Sequence, residues 1–232
     1  MSLWRIFVLN ILAIETSTEY CSVALWRDGA LSGRCERVGQ KHSEMLLPMV
    51  DDLLQASGSK LQAMNGIAFG KGPGSFTGVR IACSVAQGLA FGAGLQVVGV
   101  CTLEALAEAS GRGKVIAALD ARMEELYLAA YEKRDGEWTT VIAPCLCKAE
   151  DAPLVEGNGW FGCGSGFALN DALRTRYGAQ LCGVEALAVP QADAVACIAA
   201  REFTGGKAVD AALALPLYLR DKVALTTRER QR

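Results

Sequence analysis

Apolar and polar residues alternate in two separate parts of the chain, and both parts predict the same order of strands. In the first part an apolar run at 10–14 is followed by polar residues, and strands are predicted at 21–26 and 31–38. The Asp28-Gly29 pair between the last two strands is typical of a hairpin turn. The second part repeats this strand–turn–strand–turn–strand order, with strands predicted at 115–119, 125–131 and 138–143. The repetition indicates an internal duplication.

Helices and further strands follow each of these meanders. Helices are predicted at about 43–57, 76–91, 102–110, 167–176 and 191–203, and short strands at 66–69 and 96–100. Ser43 is predicted to cap the first helix, in which Pro48 predicts a kink or a late start. The alternation predicts an α/β protein with a mixed sheet. We expect a first lobe at 1–110, a smaller second lobe at 111–192, and a C-terminal segment at about 193–222 that packs back on the first lobe.

Composition narrows the class of protein. The chain has 232 residues, of which 51% are hydrophobic and 21% are charged, which excludes an intrinsically disordered protein. A net charge of −2 provides no overall positive field that would draw the protein onto nucleic acid or an acidic membrane. The nine cysteines include one close pair, Cys145-x-Cys147, and no Cys-x-x-Cys. Their odd number and scattered spacing predict reduced thiols in a cytoplasmic protein rather than a disulfide framework or a zinc site.

A glycine-rich loop at 70–78 links a predicted strand to a predicted helix. Such loops present backbone N–H groups at a helix N-terminus, which suits a phosphate, but the glycine spacing matches neither a Walker loop nor a dinucleotide loop. Two interpretations stay open: a phosphate site, or a tight turn that lets the strand and the helix pack closely. Arg80 lies in the first helical turn, where a cation is unfavourable, so we expect it to have an anionic partner. The candidate phosphate contacts are Thr16, Ser17, Gly72, Gly74, Ser75, Thr77 and Arg80.

Two predicted helices are apolar over more of their circumference than one sheet can cover. In the helix at 76–91 the polar residues fill an arc of only about 60°. Its small residues form a ridge that permits another helix to approach closely. Burial in one large core would also explain both helices, but we favour a partner interface, and we expect Ala82→Arg or Ala86→Arg to abolish pairing without unfolding the lobe. The predicted interface comprises Met45, Leu46, Met49, Val50, Leu53, Gly78, Ala82, Ala86 and Ala90.

Few residues offer catalytic chemistry. His42 is the only histidine, so a His-x-x-x-His metal pair is excluded, and no acidic cluster resembles a metal site. Glu15 and Asp120 occupy corresponding positions after the first strand of each meander, where they are either catalytic or bonded within a local turn. The segment 216–220 is predicted to be extended and 226–232 to be disordered. The basic residues of this region either contact RNA phosphates or are solvated; they are Arg220, Lys222, Arg228, Arg230 and Arg232.

Five segments closely resemble the TsaB (YeaZ) family. They are 11–25, 42–48, 69–80, 119–127 and 216–220, and the Gly-Pro-Gly-Ser-Phe-Thr-Gly stretch within the third is highly specific. The resemblance implies a two-lobed fold of the actin/Hsp70/sugar-kinase (ribonuclease H-like) type, in agreement with the duplicated meander. Kinase-type members of this fold begin with an aspartate where this chain has Glu15, which weakens an ATPase assignment.

The resemblance also implies a function. TsaB proteins are non-catalytic partners of TsaD, the glycoprotease-like subunit that transfers a threonylcarbamoyl group to adenosine 37 of tRNAs; they pair with it through the two N-terminal helices, and the ATPase TsaE joins them. TsaD holds a metal through His-x-x-x-His, whereas this chain has His42 and Leu46 at those positions, which implies neither that metal nor catalysis. We expect no resident cofactor, although a nucleotide at the joint of the complex stays open. We also expect a homodimer in the absence of TsaD, and tRNA contact only through the complex. The alternatives are a nucleotide-binding ATPase-like enzyme and a glycoprotease-type metallopeptidase.

Overall fold

A computed structural model describes residues 9–169 and 171–220, which form two β-sheets. The first sheet has six strands: β1 (Asn10–Glu15), β2 (Tyr20–Arg27), β3 (Ala30–Arg37), β4 (Gly66–Gly72), β5 (Gln96–Cys101) and β11 (Val209–Asp210). Their spatial order is β11-β5-β4-β1-β2-β3. The strands β1, β2 and β3 form an antiparallel meander, while β4 is parallel to both β1 and β5.

The second sheet repeats this arrangement. Its five strands are β6 (Lys114–Asp120), β7 (Glu125–Arg134), β8 (Glu137–Lys148), β9 (Trp160–Cys163) and β10 (Leu181–Glu185). They lie in the order β10-β9-β6-β7-β8, with β6, β7 and β8 as the antiparallel meander and β9 parallel to β6 and β10. The duplication therefore includes two parallel strands after each meander, and the pair β9 and β10 was not predicted from the sequence.

Helices cover both faces of the first sheet. The six helices in the described residues are α1 (His42–Ala56), α2 (Phe76–Ala93), α3 (Thr102–Ala109), α4 (Gly166–Leu169), α5 (Ala172–Tyr177) and α6 (Ala192–Thr204). Because side chains alternate along a strand, Leu12 and Ile14 of β1 pack against α1 and α2, whereas Ile11 and Ala13 pack against α6. None of the helices in this part of the chain is long and apolar enough to cross a membrane.

The start of α1 differs from the prediction. The N-cap position is Lys41, which makes no capping hydrogen bond through its side chain, and Ser43 lies inside the first turn. The helix begins earlier because His42 is buried and its ring Nε2 lies 3.1 Å from the Tyr20 carbonyl oxygen. Helix α1 continues through Pro48, so no late start occurs there.

The last described residues, 214–220, which we call the C-terminal strap, connect the two sheets. Gln87 Nε2 of α2 donates to the Ala214 carbonyl at 2.9 Å, and the Leu217 N–H donates to the Lys71 carbonyl of β4 at 2.6 Å. At the other end, Arg220 pairs with Glu125 of β7 at 2.7 Å. The Leu217 side chain packs on an apolar cluster to which α3, β6 and β7 contribute. The predicted disorder at 226–232 lies outside the described residues.

Candidate functional site

The glycine-rich loop packs directly on the turn that follows β1. The Ser75 N–H donates to the Ser17 carbonyl at 2.7 Å, and Thr16 Oγ1 donates to the Gly78 carbonyl at 2.7 Å. Ser75 is the N-cap of α2, and its Oγ accepts from the Gly78 N–H. A Cβ atom at Gly74 would lie 2.6 Å from the Ser17 carbonyl oxygen, and one at Gly78 would overlap the Thr16 carbonyl oxygen. Glycine is therefore required here by close backbone approach.

This packing favours the tight turn over the phosphate site, the two interpretations that the sequence left open. The chain's own backbone fills the space beside Gly74 and Gly78, and the N–H groups of Ser75 and Gly78 already have partners. Thr16 and Ser17 are buried. Gly72 faces the Leu217 carbonyl of the strap, whereas Thr77 and Arg80 lie on the exposed side of α2. The seven residues do not line one open cradle, and the tight-turn interpretation agrees with the geometry.

Arg80 has a neutral partner instead of the expected anion. Its Nε donates to the Tyr218 hydroxyl at 2.7 Å, and its guanidinium lies 3.4 Å from the centre of the Phe76 ring. The Phe76 and Tyr218 rings are 5.7 Å apart. Cation–π contacts and the phenol together stabilise the cation in the first turn of α2. Sequence reasoning missed Tyr218 because it follows Arg80 by 138 residues.

The Glu15 carboxyl is enclosed at the end of β1. Its Oε1 accepts from the Ser17 N–H at 2.5 Å, whereas its buried Oε2 has no hydrogen-bond partner. A Cβ atom at Gly70 would overlap Oε2, so β4 seals the carboxyl on that side. Burial raises the pKa of Glu15, and the hydrogen bonds with Ser17 oppose this effect. The carboxyl is thus bonded within its own turn and closed off from solvent.

Asp120, at the corresponding position after β6, also bonds within its own turn. Its carboxylate accepts from the Arg122 N–H at 2.7 Å and from Arg122 Nη1 at 3.0 Å. His42 contacts a backbone carbonyl, and Leu46, which replaces a second metal-binding histidine, is in the core. In residues 9–169 and 171–220, no three His, Cys, Asp or Glu side chains gather as a metal site would require.

The predicted interface residues are mostly core residues of this chain. Ala82, Ala86 and Ala90 are fully buried, and the ridge that they form with Gly78 faces the chain's own first sheet. The buried residues of α1 in this set, Leu46, Met49, Val50 and Leu53, pack on the same sheet. Met45 is half-buried at the edge. The expectation of an exposed small-residue ridge is therefore wrong, and Ala82→Arg or Ala86→Arg would place a charge in the core.

The outer sides of α1 and α2 nevertheless form an open groove of about 400 Å³. We call it the α1–α2 groove; its lining is Ser43, Leu46, Leu47, Phe76, Thr77, Arg80, Ile81, Ser84 and Val85. The side chains of Leu47 and Phe76 are 50% and 38% exposed, and further along α2 Phe91 is 85% exposed. The broad apolar arcs were recognised in the sequence, but periodicity alone did not separate the part facing the sheet from the part facing outward.

Comparison with known families and proteins gives consistent matches. Residues 35–159 match the family model described as TsaD, tRNA N6-adenosine threonylcarbamoyltransferase. The Escherichia coli tRNA threonylcarbamoyladenosine biosynthesis protein TsaB is 41% identical over 225 residues, which are 93% of this chain and 96% of that protein. The protein of the same name from Haemophilus influenzae is 36% identical, over 93% of this chain and 95% of its own length.

Solved structures match the whole fold. Two solved structures from Pseudomonas aeruginosa, one described as YeaZ and one as a protein with similarity to peptidase YeaZ, superpose with TM-scores of 0.85 and 0.86. Each is 38% identical and covers 91% of this chain and 100% of its own. The similarity confirms the two-lobed α/β fold that the sequence predicted.

Proposed function

The chain belongs to the TsaB (YeaZ) family of tRNA threonylcarbamoyladenosine biosynthesis proteins, and on this premise we propose that it is a non-catalytic subunit that docks and activates TsaD. The family places the chain in the biosynthesis of this modified nucleoside. The proposal adds the place of this chain in the complex. The chain pairs with TsaD at the α1–α2 groove, and TsaE joins the pair. The assembled complex then modifies adenosine 37 of the tRNA.

The α1–α2 groove is the observation that carries the docking proposal. Leu47, Phe76 and Phe91 expose apolar side chains along the outer sides of two adjacent helices. An exposed apolar surface of this kind is typical of a binding site for a second polypeptide. The match to the TsaD family model supports a partner built on the same fold, with a comparable helix pair to offer. Without TsaD, the same surface would pair two copies of this chain.

The surroundings of the polar residues support a non-catalytic role. Glu15 is sealed beneath Gly70, the glycine-rich loop is bonded to the turn at Thr16 and Ser17, and the single histidine holds α1 against β2. The Glu15 carboxyl and the His42 ring are buried, so neither faces open space in which a substrate would react. Activation would then come from the contact with TsaD itself.

The docking surface is tested with charges placed on exposed positions. Leu47→Asp and Phe91→Asp put a carboxylate on the groove side, whereas Leu187→Asp changes a side chain that is 88% exposed in the second lobe and serves as the matched control. Since all three positions are exposed, the variants are expected to fold. Calorimetry and size-exclusion chromatography with TsaD of the same organism should give about 30-fold weaker binding for the first two and unchanged binding for the control. Equal affinity of Leu47→Asp, Phe91→Asp and the control would refute the docking site.

The non-catalytic role has a separate test. In a reconstituted mixture with TsaD, TsaE, tRNA and a threonylcarbamoyl donor, Asp120→Asn should support transfer at the wild-type rate, because the Asp120 carboxylate bonds to Arg122 within its own turn. Leu47→Asp should lose transfer in proportion to its loss of TsaD binding. A large loss of transfer in Asp120→Asn with TsaD binding intact would point to a catalytic contribution from this chain.

A further inference from the structure

Two cysteines on β8 lie outside the function proposed above. Residues two apart on a strand face the same side, and the register confirms this for Cys145, which lies opposite Leu128, and Cys147, which lies opposite Leu126. Both cysteine side chains are half-buried and pack against the same apolar cluster of the second lobe. The two thiols are therefore neighbours on one face of one strand.

We propose that Cys145 and Cys147 form a reactive dithiol site, which small peroxides oxidise to an intrastrand disulfide and which small thiols reduce again. The oxidant belongs to the class of hydroperoxides, of which hydrogen peroxide is the simplest. The site is independent of the α1–α2 groove, since it lies in the other lobe.

The backbone of β8 holds the two Cα atoms just within the range from which this bond can close. Two residues of an ideal strand span about 6.6 Å between Cα atoms, near the upper end of the range of about 4.4–6.8 Å found across disulfides. Strand β8 is the edge strand of its sheet, so one side of its backbone is unpaired. Ala130 pairs with Ile142 and Leu128 with Cys145, which leaves one extra residue on β8 just before Cys145. The bulge bends β8 next to the pair, whereas Cys145 and Cys147 themselves stay in regular register with Leu128 and Leu126, so closing the bond requires the end of β8 to bend as well.

The electrostatics of the pair make Cys145 the attacking thiol. A hydrogen bond from Cys147 lowers the pKa of Cys145 to about 7 and raises that of Cys147. Glu125 and Asp151 are the acidic groups near Cys147, and the Tyr177 hydroxyl of α5 also lies near the pair. By contrast, burial raises the pKa of Cys163 to about 12. A half-exposed thiolate beside a resolving thiol is the arrangement found at oxidation-sensitive sites.

The reaction balances with the peroxide as the only oxidant. The Cys145 thiolate attacks one peroxide oxygen, the O–O bond breaks, and a sulfenic acid forms as hydroxide leaves and takes up the proton that Cys145 had lost. The Cys147 sulfur then attacks the sulfenic sulfur, the S–S bond forms, and the hydroxyl group leaves with the Cys147 proton as a second water. Two thiols thus lose two hydrogen atoms, and one peroxide becomes two waters.

Peptide mass spectrometry of the full chain tests the site. After brief treatment with hydrogen peroxide and blocking with N-ethylmaleimide, the peptide that carries both cysteines should lack two hydrogen atoms, and dithiothreitol should restore them. Cys147→Ser should instead accumulate a sulfenic acid at Cys145 that dimedone traps. Cys182→Ser removes an exposed single cysteine and should leave closure unchanged.

The pH profile of alkylation gives a second readout that does not depend on access. The rate of Cys145 alkylation by iodoacetamide should be half-maximal near pH 7 in the wild type, and the midpoint should rise in Cys147→Ala, which has no side-chain donor to Cys145. At pH 7 this predicts about threefold faster reaction for Cys145 than in the variant. Oxidation of Cys35 or Cys182 before the paired cysteines close, or an unchanged midpoint in Cys147→Ala, would overturn the proposal.

Discussion

At the end of β1 one carboxyl is surrounded by protein on every side. One carboxylate oxygen of Glu15 accepts a hydrogen bond from the Ser17 N–H, and the other has no partner. This second oxygen lies beside Gly70, and it fits there only because Gly70 has no side chain. A buried carboxyl with one unpaired oxygen is costly when it is ionised, since the hydrogen bonds with Ser17 compensate only in part for the lost water. Its stability contribution must therefore depend on pH.

Glu15→Gln tests this dependence. Because the pKa of Glu15 is raised in the folded state, the folded chain holds the proton more tightly, and ionisation above the ordinary pKa of 4.5 favours unfolding. Urea unfolding of the variant and the wild type should show that the variant gains stability relative to the wild type as the pH rises from about 4.5 to neutral. Glu150→Gln, at an exposed position, controls for the loss of a charge. A difference between the variant and the wild type that stays constant with pH would contradict the prediction.

Single residues were predicted with uneven success, for physical reasons. The clustering of glycines between β4 and α2 was visible in the sequence, and a tight turn was one of two interpretations, because short-range spacing carries that information. The contact of Arg80 with Tyr218 was not predictable, because the sequence does not show which residue 138 positions away lies next to Arg80 in the folded chain. The unpaired Oε2 of Glu15 depends on the approach of β1 to β4 and was equally invisible.

At the scale of elements, helix α2 contains one glycine that is required by close packing and another that is exposed to solvent. At its first turn Gly78 allows the helix to touch the turn at Thr16, whereas Gly88 lies exposed with nothing nearby. The sequence predicted both α1 and α2 and their wide apolar arcs. It did not predict which apolar residues face the sheet, because a period of 3.6 residues fixes relative directions around a helix and not the direction of its neighbour.

The two glycines of α2 provide a matched pair of substitutions. Gly78→Ala should lower the free energy of unfolding by about 1–3 kcal/mol, because its Cβ would overlap a backbone carbonyl oxygen that a rotamer change cannot move. Gly88→Ala should raise it by about 0.5–1 kcal/mol, since alanine favours helix and meets no atom. Chemical denaturation at one protein concentration measures both. Equal effects of the same sign would show that helix propensity, and not packing, decides at both positions.

At the scale of the whole molecule, two copies of one topology are fastened together by α3 and by the C-terminal strap. The order β5-β4-β1-β2-β3 in the first sheet corresponds strand for strand to β10-β9-β6-β7-β8 in the second. The meanders were predicted because alternation and hairpin turns are local signals. The short strands β9 and β10 were missed, since four or five residues beside glycines carry little periodicity.

The strap is tested at its far end. Arg220 pairs with Glu125 and donates to the Ala121 carbonyl at 3.0 Å, and both side chains of the pair are largely buried. Arg220→Ala should cost about 1–3 kcal/mol and speed hydrogen exchange in the turn between β6 and β7. Arg37→Ala breaks an exposed pair with Glu19 and should change stability by less than about 0.5 kcal/mol. Equal losses in the two variants, or unchanged exchange in the turn, would argue against the strap as a fastening.

The order of the elements along the chain has a consequence for synthesis. Helix α6 covers the face of the first sheet that carries Ile11 and Ala13, yet α6 and β11 come after the entire second sheet in sequence. During translation, α6 therefore cannot cover this apolar face until the whole second sheet has been synthesised. The later-made sheet is contiguous, and we expect the nascent chain to complete it before the one that emerged first.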